Sequence, residues 1–216
     1  MNLDVARTQM LGQQIRAWDV LDDKVLRTLE ATPRERFVPR EYVELAFADT
    51  EIPLAHGQSM LAPKIEGRLL QALQIESTDE VLEIGTGTGY MAACLARLAK
   101  RVTSVDIFGD FVDGARARLS EQDAGNVELV VADALTLDLP GRFDAIAVTA
   151  SVPDLDEHFI KMLRPHGRLF IVVGRAPVME ACLVTMSADG DWTNESLFET
   201  VLTPLVNAER PEPFVL

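Results

Sequence analysis

With 216 residues, 48% of them hydrophobic and 25% charged, the chain has material for a full core and no bias toward disorder. A formal net charge of −14 repels phosphate backbones, and no run of Lys and Arg offsets it, so no nucleic-acid partner is expected. The three histidines and two cysteines show no metal-ligand spacing, and no apolar run approaches a membrane span. Neither a metal nor a membrane partner is expected, and the cytoplasm is the expected location.

Residues 1–76 read as helices separated by loops. Leu3, Ala6, Met10, Leu11, Gln14 and Ile15 keep helical spacing, and Leu21, Val25 and Leu29 resume it after a break near Trp18-Asp19. Pro33, Pro39, Pro53 and Pro63 make Thr32–Pro63 a stretch of turns and extended pieces, and residues 64–75 return to a helix.

From Glu80 short apolar runs alternate with helical stretches. Val81–Ile84, Val102–Val105, Val127–Val131, Phe143–Thr149 and Leu169–Val173 read as buried strands, and 90–100, 110–121 and 154–164 as helices. This alternation predicts an α/β fold with a doubly wound, mostly parallel sheet covered on both faces. Ala181–Met186 and Leu197–Leu205, separated by the turn-rich Ala188–Asn194, predict antiparallel strands at one sheet edge. The chain divides into a helical part (1–76), a core (77–175) and C-terminal strands (176–216) of one domain.

Chemistry concentrates in Val81-Leu82-Glu83-Ile84-Gly85-Thr86-Gly87-Thr88-Gly89-Tyr90. A strand delivers a glycine-rich turn to the sheet's carboxyl edge, where the backbone can approach a ligand closely. The spacing Gly-x-Gly-x-Gly is not the Gly-x-Gly-x-x-Gly that packs a helix under a pyrophosphate. It therefore disfavours a nicotinamide dehydrogenase and favours S-adenosylmethionine. Asp106 ends the next strand, seventeen residues after Gly89, where a carboxylate can accept both ribose hydroxyls, with Ile107 beside it. Asp133 and Ala134 follow the third strand, where an adenine amino group can be read. Glu83, Gly85, Thr86, Gly87, Thr88, Gly89, Asp106, Ile107, Asp133 and Ala134 form the expected cofactor site.

These residues resemble the protein-L-isoaspartate O-methyltransferases. The resemblance extends to Pro33-Arg34-Glu35-Arg36-Phe37-Val38-Pro39, Ala48-Asp49, Ile52-Pro53-Leu54, Gly57-Gln58, Phe143-Asp144, Val148-Thr149-Ala150 and Thr203-Pro204-Leu205, and so spans nearly the whole chain. It implies a Rossmann-like methyltransferase fold with an N-terminal helical extension. It also implies S-adenosylmethionine as cofactor and isoaspartyl residues of damaged proteins as methyl acceptors. One departure stands out: the family's Thr-Ile-Ser-x-Pro reads Ser59-Met60-Leu61-Ala62-Pro63, so Leu61 occupies the position of an active-site serine. Ser59, two residues earlier on the same face of an extended chain, could partly replace it, and Thr149 and Ser151 are further candidate hydroxyls. A different acceptor, or cofactor binding without catalysis, are the alternatives that Leu61 raises.

Overall fold

The computed structural model describes residues 3–139, 141–155 and 157–208. Helix α1 (Leu3–Gln9) runs on through a π-turn at Met10–Ile15 and a 3-10 turn at Arg16–Trp18, and ends where Asp19 takes a left-handed φ of 58°. The break predicted there is thus a helix stop. Helix α2 (Asp23–Ala31) starts on Asp22, whose carboxylate accepts the Lys24 and Val25 N–H groups. The proline-punctuated stretch folds into two 3-10 turns and a small hairpin, β1 (Ile52–Pro53) with β2 (Ser59–Met60), closed by the turn 54–58. Helix α3 (Pro63–Leu73) follows, with proline in its first turn, where the missing N–H costs nothing.

Strand β3 (Glu80–Ile84), helix α4 (Tyr90–Leu98), strand β4 (Arg101–Asp106), helix α5 (Gly109–Ser120) and strand β5 (Val127–Val131) build the first half of the sheet. Strand β6 (Phe143–Val152), helix α6 (Glu157–Lys161), strand β7 (Leu163–Arg175) and the antiparallel pair β8 (Val178–Met186) and β9 (Trp192–Glu199) build the second. The order is β5-β4-β3-β6-β7-β8-β9, with β3 to β7 parallel, so the chain reverses its direction of winding between β3 and β6. Ligands of open α/β sheets sit at the carboxyl ends of the strands beside such a point.

Side-chain alternation covers both faces. Val81, Val102, Ala145, Ala147, Phe170 and Val172 pack under α3, α4 and the N-terminal helices. Leu82, Ile84, Val105, Ile146, Val148, Leu169 and Ile171 pack on the other face with Phe159 and Ile160 of α6.

The structure corrects three expectations. Strand β5 is an edge rather than a buried strand, and its Val131 is 56% exposed. The helix expected over 154–164 is only the turn-and-a-half of α6, because β7 begins at Leu163 and bulges past Pro165–Gly167 to regain register at Arg168. The last strand is Trp192–Glu199 rather than Leu197–Leu205. The apolar Leu202–Leu205 leaves the sheet and crosses back to the tip of β6, where Ser151 N–H donates to Thr203 O (3.0 Å) and Leu205 N–H to Ser151 O (2.8 Å).

Candidate active site

Three strand tips and two returning segments border an open cleft at the carboxyl end of the sheet. Ser59, Gly85, Gly87, Asp106, Ile107, Asp133, Ala134 and Thr149, all expected from sequence, line it.

The glycines answer to different needs. Gly85 has a φ of +98°, and a Cβ there would lie 2.3 Å from the Thr149 Oγ1. Gly89 caps α4 with a φ of +85°, and a Cβ there would lie 3.0 Å from that of Ala115 on α5. Gly87 alone leaves room on the cleft side, with Leu54 Cδ1 the nearest atom at 3.6 Å. Two of the three glycines thus serve packing of the loop, and the middle one leaves backbone open to a ligand.

Asp106 is 7% exposed and joins loop to helix: Oδ2 accepts the Gly87 N–H at 2.8 Å and Oδ1 the Phe108 N–H at 3.0 Å. Burial raises its carboxyl above the ordinary value against the pull of these backbone donors. Each oxygen keeps an acceptor site for a hydroxyl. Asp133 is held similarly, Oδ1 by the Leu135 N–H (2.9 Å) and Oδ2 by Asn207 Nδ2 (2.8 Å), which draws the C-terminal segment over the cleft. The buried Ala134 directs its carbonyl to His158 Nε2–H at 3.1 Å.

Glu83, Thr86, Thr88 and Gly89 do not line this cleft. Period-two alternation turns Glu83 to the same face as Val81, beneath α4, where it is fully buried and accepts a short hydrogen bond from Ser104 Oγ. Burial, opposed chiefly by Ser104, pushes its carboxyl up to about 8. Ser104 Oγ also meets Thr86 Oγ1 at 2.6 Å, so Glu83, Ser104 and Thr86 make a hydrogen-bonded chain under the loop. Thr88 is buried against Met60.

On the acceptor side, Leu61 is a core residue, 6% exposed, and its carbonyl accepts Arg34 Nη2–H at 2.7 Å. Arg34 is itself fully buried: Nε donates to Ala46 O at 2.8 Å, Nη1 pairs with Glu66, and the guanidinium lies 5.0 Å over the Tyr90 ring. The Pro33–Pro39 motif therefore fixes the backbone that carries Ser59 and Leu61. Ser59 Oγ donates to Glu51 Oε2 at 2.7 Å. Thr149 Oγ1 lies 3.0 Å from the carbonyl oxygens of both Ile84 and Gly85, so its proton braces the glycine loop. Ser151 is buried with its hydroxyl on Leu202 O at 2.9 Å, and it anchors the returning C-terminal segment rather than facing substrate.

Several wall residues were not expected: Phe108, Phe111, Leu54, Gln58, Leu205 and Val206. A broad groove bordered by Glu51, His56, Arg175 and Thr203 adjoins the cleft and shares Gln58, Phe108, Leu205 and Val206 with it. Among the described residues, no group of three or more His, Cys, Asp or Glu could hold a metal. The phenylalanine following Asp106-Ile107 was the one legible signal, an aromatic placed at a strand tip.

The family model for protein-L-isoaspartate(D-aspartate) O-methyltransferase matches residues 6–210. The chain belongs to this family. Relatives agree: a protein-L-isoaspartate O-methyltransferase 2 of Pelobacter propionicus is 36% identical over 211 residues, covering 96% of this chain and 93% of the relative. A protein-L-isoaspartate O-methyltransferase of Methanoculleus marisnigri is 40% identical over 170 residues, covering 78% and 77%. A structure from Plasmodium falciparum, described as a protein-L-isoaspartate O-methyltransferase in complex with S-adenosyl-L-homocysteine, superposes with a TM-score of 0.77 over 92% of this chain and 97% of that one. At 19% identity that likeness shows the fold.

Proposed function

We infer that this family member is a working S-adenosylmethionine-dependent protein carboxyl O-methyltransferase that esterifies isoaspartyl residues of damaged proteins. The observation that carries the reading is the convergence of Gly87, Asp106 and Asp133 on one cleft that shares Gln58, Phe108, Leu205 and Val206 with an adjoining groove. The residues fit the cofactor: Asp106 has free acceptor sites for the ribose, Asp133 and Ala134 border the adenine end, and Phe108 and Phe111 offer apolar faces.

When bound, the cofactor supplies an electrophilic methyl group on a sulfonium. A carboxylate acceptor is already ionised at neutral pH, so no general base is required of the protein. The chain's contribution is alignment, which can account for about 7–11 kcal/mol of a barrier. Thr149 and Asp106 fix the glycine loop, the Arg34–Glu66 pair fixes the Ser59–Leu61 segment, and the two meet at the cleft. Ser59 lines the cleft and donates its hydroxyl to Glu51 at the border of the acceptor groove, and the buried Leu61 stands where the resemblance places a serine. The proposed acceptors are proteins or peptides, and a net charge of −14 disfavours a nucleic-acid partner. Among the described residues no helix is long and apolar enough to cross a membrane, and the proposed location is the cytoplasm.

The test is methylation of an isoaspartyl peptide by the purified protein with methyl-labelled cofactor. A base-labile methyl ester on that peptide, and none on its normal aspartyl counterpart, is the expected result. No transfer by a protein that binds S-adenosylhomocysteine would overturn the acceptor assignment.

A further inference from the structure

His56 sits at the tip of the β1–β2 turn in the left-handed region, with φ 58° and ψ 21°, followed by Gly57 at φ 68°. A glycine would take this conformation without the crowding that a Cβ brings. Here the imidazole reaches across to the start of α5. It stacks on the Phe108 ring, with centroids 4.0 Å apart and planes within 7°, and meets the Phe111 ring edge-on at 5.4 Å. Its Nε2 lies 2.9 Å and 3.1 Å from the two Asp110 carboxylate oxygens. Both partners are exposed, so the pair adds little to fold stability.

The position matters because the two ends of this contact belong to different elements. Leu54 and Gln58, from the same turn as His56, line the cofactor cleft, and so do Phe108 and Phe111, from the start of α5. His56 and Phe108 also line the acceptor groove. Phe108 N–H, in turn, is held by Asp106, the residue assigned to the ribose. One imidazole therefore joins the acceptor-side turn to the aromatic wall of the cofactor site.

We propose that His56 is a positioning residue whose stack on Phe108 and bond to Asp110 clasp the β1–β2 turn to α5, and so couple retention of the adenosine cofactor to binding of the acceptor peptide. This rests on the cofactor reading above. Coupling between two ligands is reciprocal, so a peptide in the groove tightens the cofactor and the cofactor tightens the peptide.

The experiment is calorimetric titration with S-adenosylhomocysteine, with and without an isoaspartyl peptide, on wild type, His56→Gly and His56→Phe. The glycine variant relieves the backbone and is expected to keep the unfolding temperature of the unliganded protein. It should bind S-adenosylhomocysteine about threefold to tenfold more weakly, the worth of a lost ring stack. The peptide should tighten S-adenosylhomocysteine about fivefold or more in wild type and have almost no such effect in His56→Gly. His56→Phe keeps the stack and should recover most of the affinity. Wild-type affinity and coupling in His56→Gly would overturn the proposal alone. A lowered unfolding temperature in that variant would make His56 a structural strut and overturn it too. A wild-type protein that binds no S-adenosylhomocysteine would take the cofactor reading down with it.

Discussion

The Asp106 carboxylate bridges two backbone donors on different elements, the Gly87 N–H at 2.8 Å and the Phe108 N–H at 3.0 Å. The glycine loop and the start of α5 are thereby fixed to one another through the group assigned to the ribose. Asp106→Asn keeps the size and leaves one acceptor oxygen for two donors. One N–H then loses its partner, at about 1–3 kcal/mol. Urea titration should show that loss of stability. Affinity for S-adenosylhomocysteine should fall about tenfold or more, since 1.4 kcal/mol is a factor of ten. Unchanged affinity would remove Asp106 from the cofactor site.

Gly85→Ala tests whether the first glycine serves packing. The new Cβ would meet the Thr149 Oγ1 at 2.3 Å in a backbone with φ +98°. Left-handed strain costs about 1–2 kcal/mol and overpacking about 1–3 kcal/mol. Combining it with Thr149→Ala removes the clash and leaves the strain, so the double variant should recover part of the loss. Strictly additive stabilities of the two single variants would show that the contact is not what demands glycine.

The sequence shows the centre of this fold far better than its margins, for a physical reason. Val81–Ile84 and Val102–Val105 are almost wholly buried, and short segments that begin and end on apolar, mostly β-branched residues betray such strands. The stretch Trp192–Ser196 of β9 is exposed at the sheet edge and carries no such segment, whereas Val201–Leu205 is apolar because it roofs the site, and so it reads as strand. The same holds for the site. Gly87, Asp106, Asp133 and Thr149 stand at strand tips, which a strand assignment locates in advance. His56 meets Asp110 across 54 positions and Asn207 meets Asp133 across 74, and no local pattern announces such contacts. Glu83 shows the limit of motif reading: it lies inside the motif, yet alternation along β3 sends its side chain under the sheet's helical cover.

That burial has a pH consequence. Glu83 is lifted from 4.5 to about 8, so the folded protein holds a proton that the unfolded chain releases above about 4.5. Stability from this group is complete below 4.5 and is lost as pH rises through about 8. Wild-type unfolding temperature should therefore fall as pH rises from about 4.5 to about 8, and Glu83→Gln, which keeps a neutral hydrogen-bonding group, should show a shallower fall. Glu66, raised from 4.5 to about 7 by burial against the pull of Arg34, loses stability in an overlapping window in both proteins. The difference between the two curves isolates Glu83. Parallel curves would mean that Glu83 is ionised in the fold.

Leu61→Ser introduces the hydroxyl that the resemblance expects at this position and separates two contributions of it. Leu61 is packed in the core at 6% exposure, and truncating such a side chain costs about 2–5 kcal/mol. The hydroxyl itself is worth about 1–3 kcal/mol if it meets the acceptor. Its backbone site is unchanged, since Arg34 Nη2 holds the Leu61 carbonyl rather than the side chain. The expected variant is less stable in urea titration and has a higher kcat/KM for an isoaspartyl peptide, by about tenfold at saturating cofactor. Ser59→Ala should lower kcat/KM in the parent and do so less in the Leu61→Ser background, where a second hydroxyl is present. Equal losses in both backgrounds would show that Ser59 does not stand in for the missing serine, and would return Ser59 to its structural bond with Glu51.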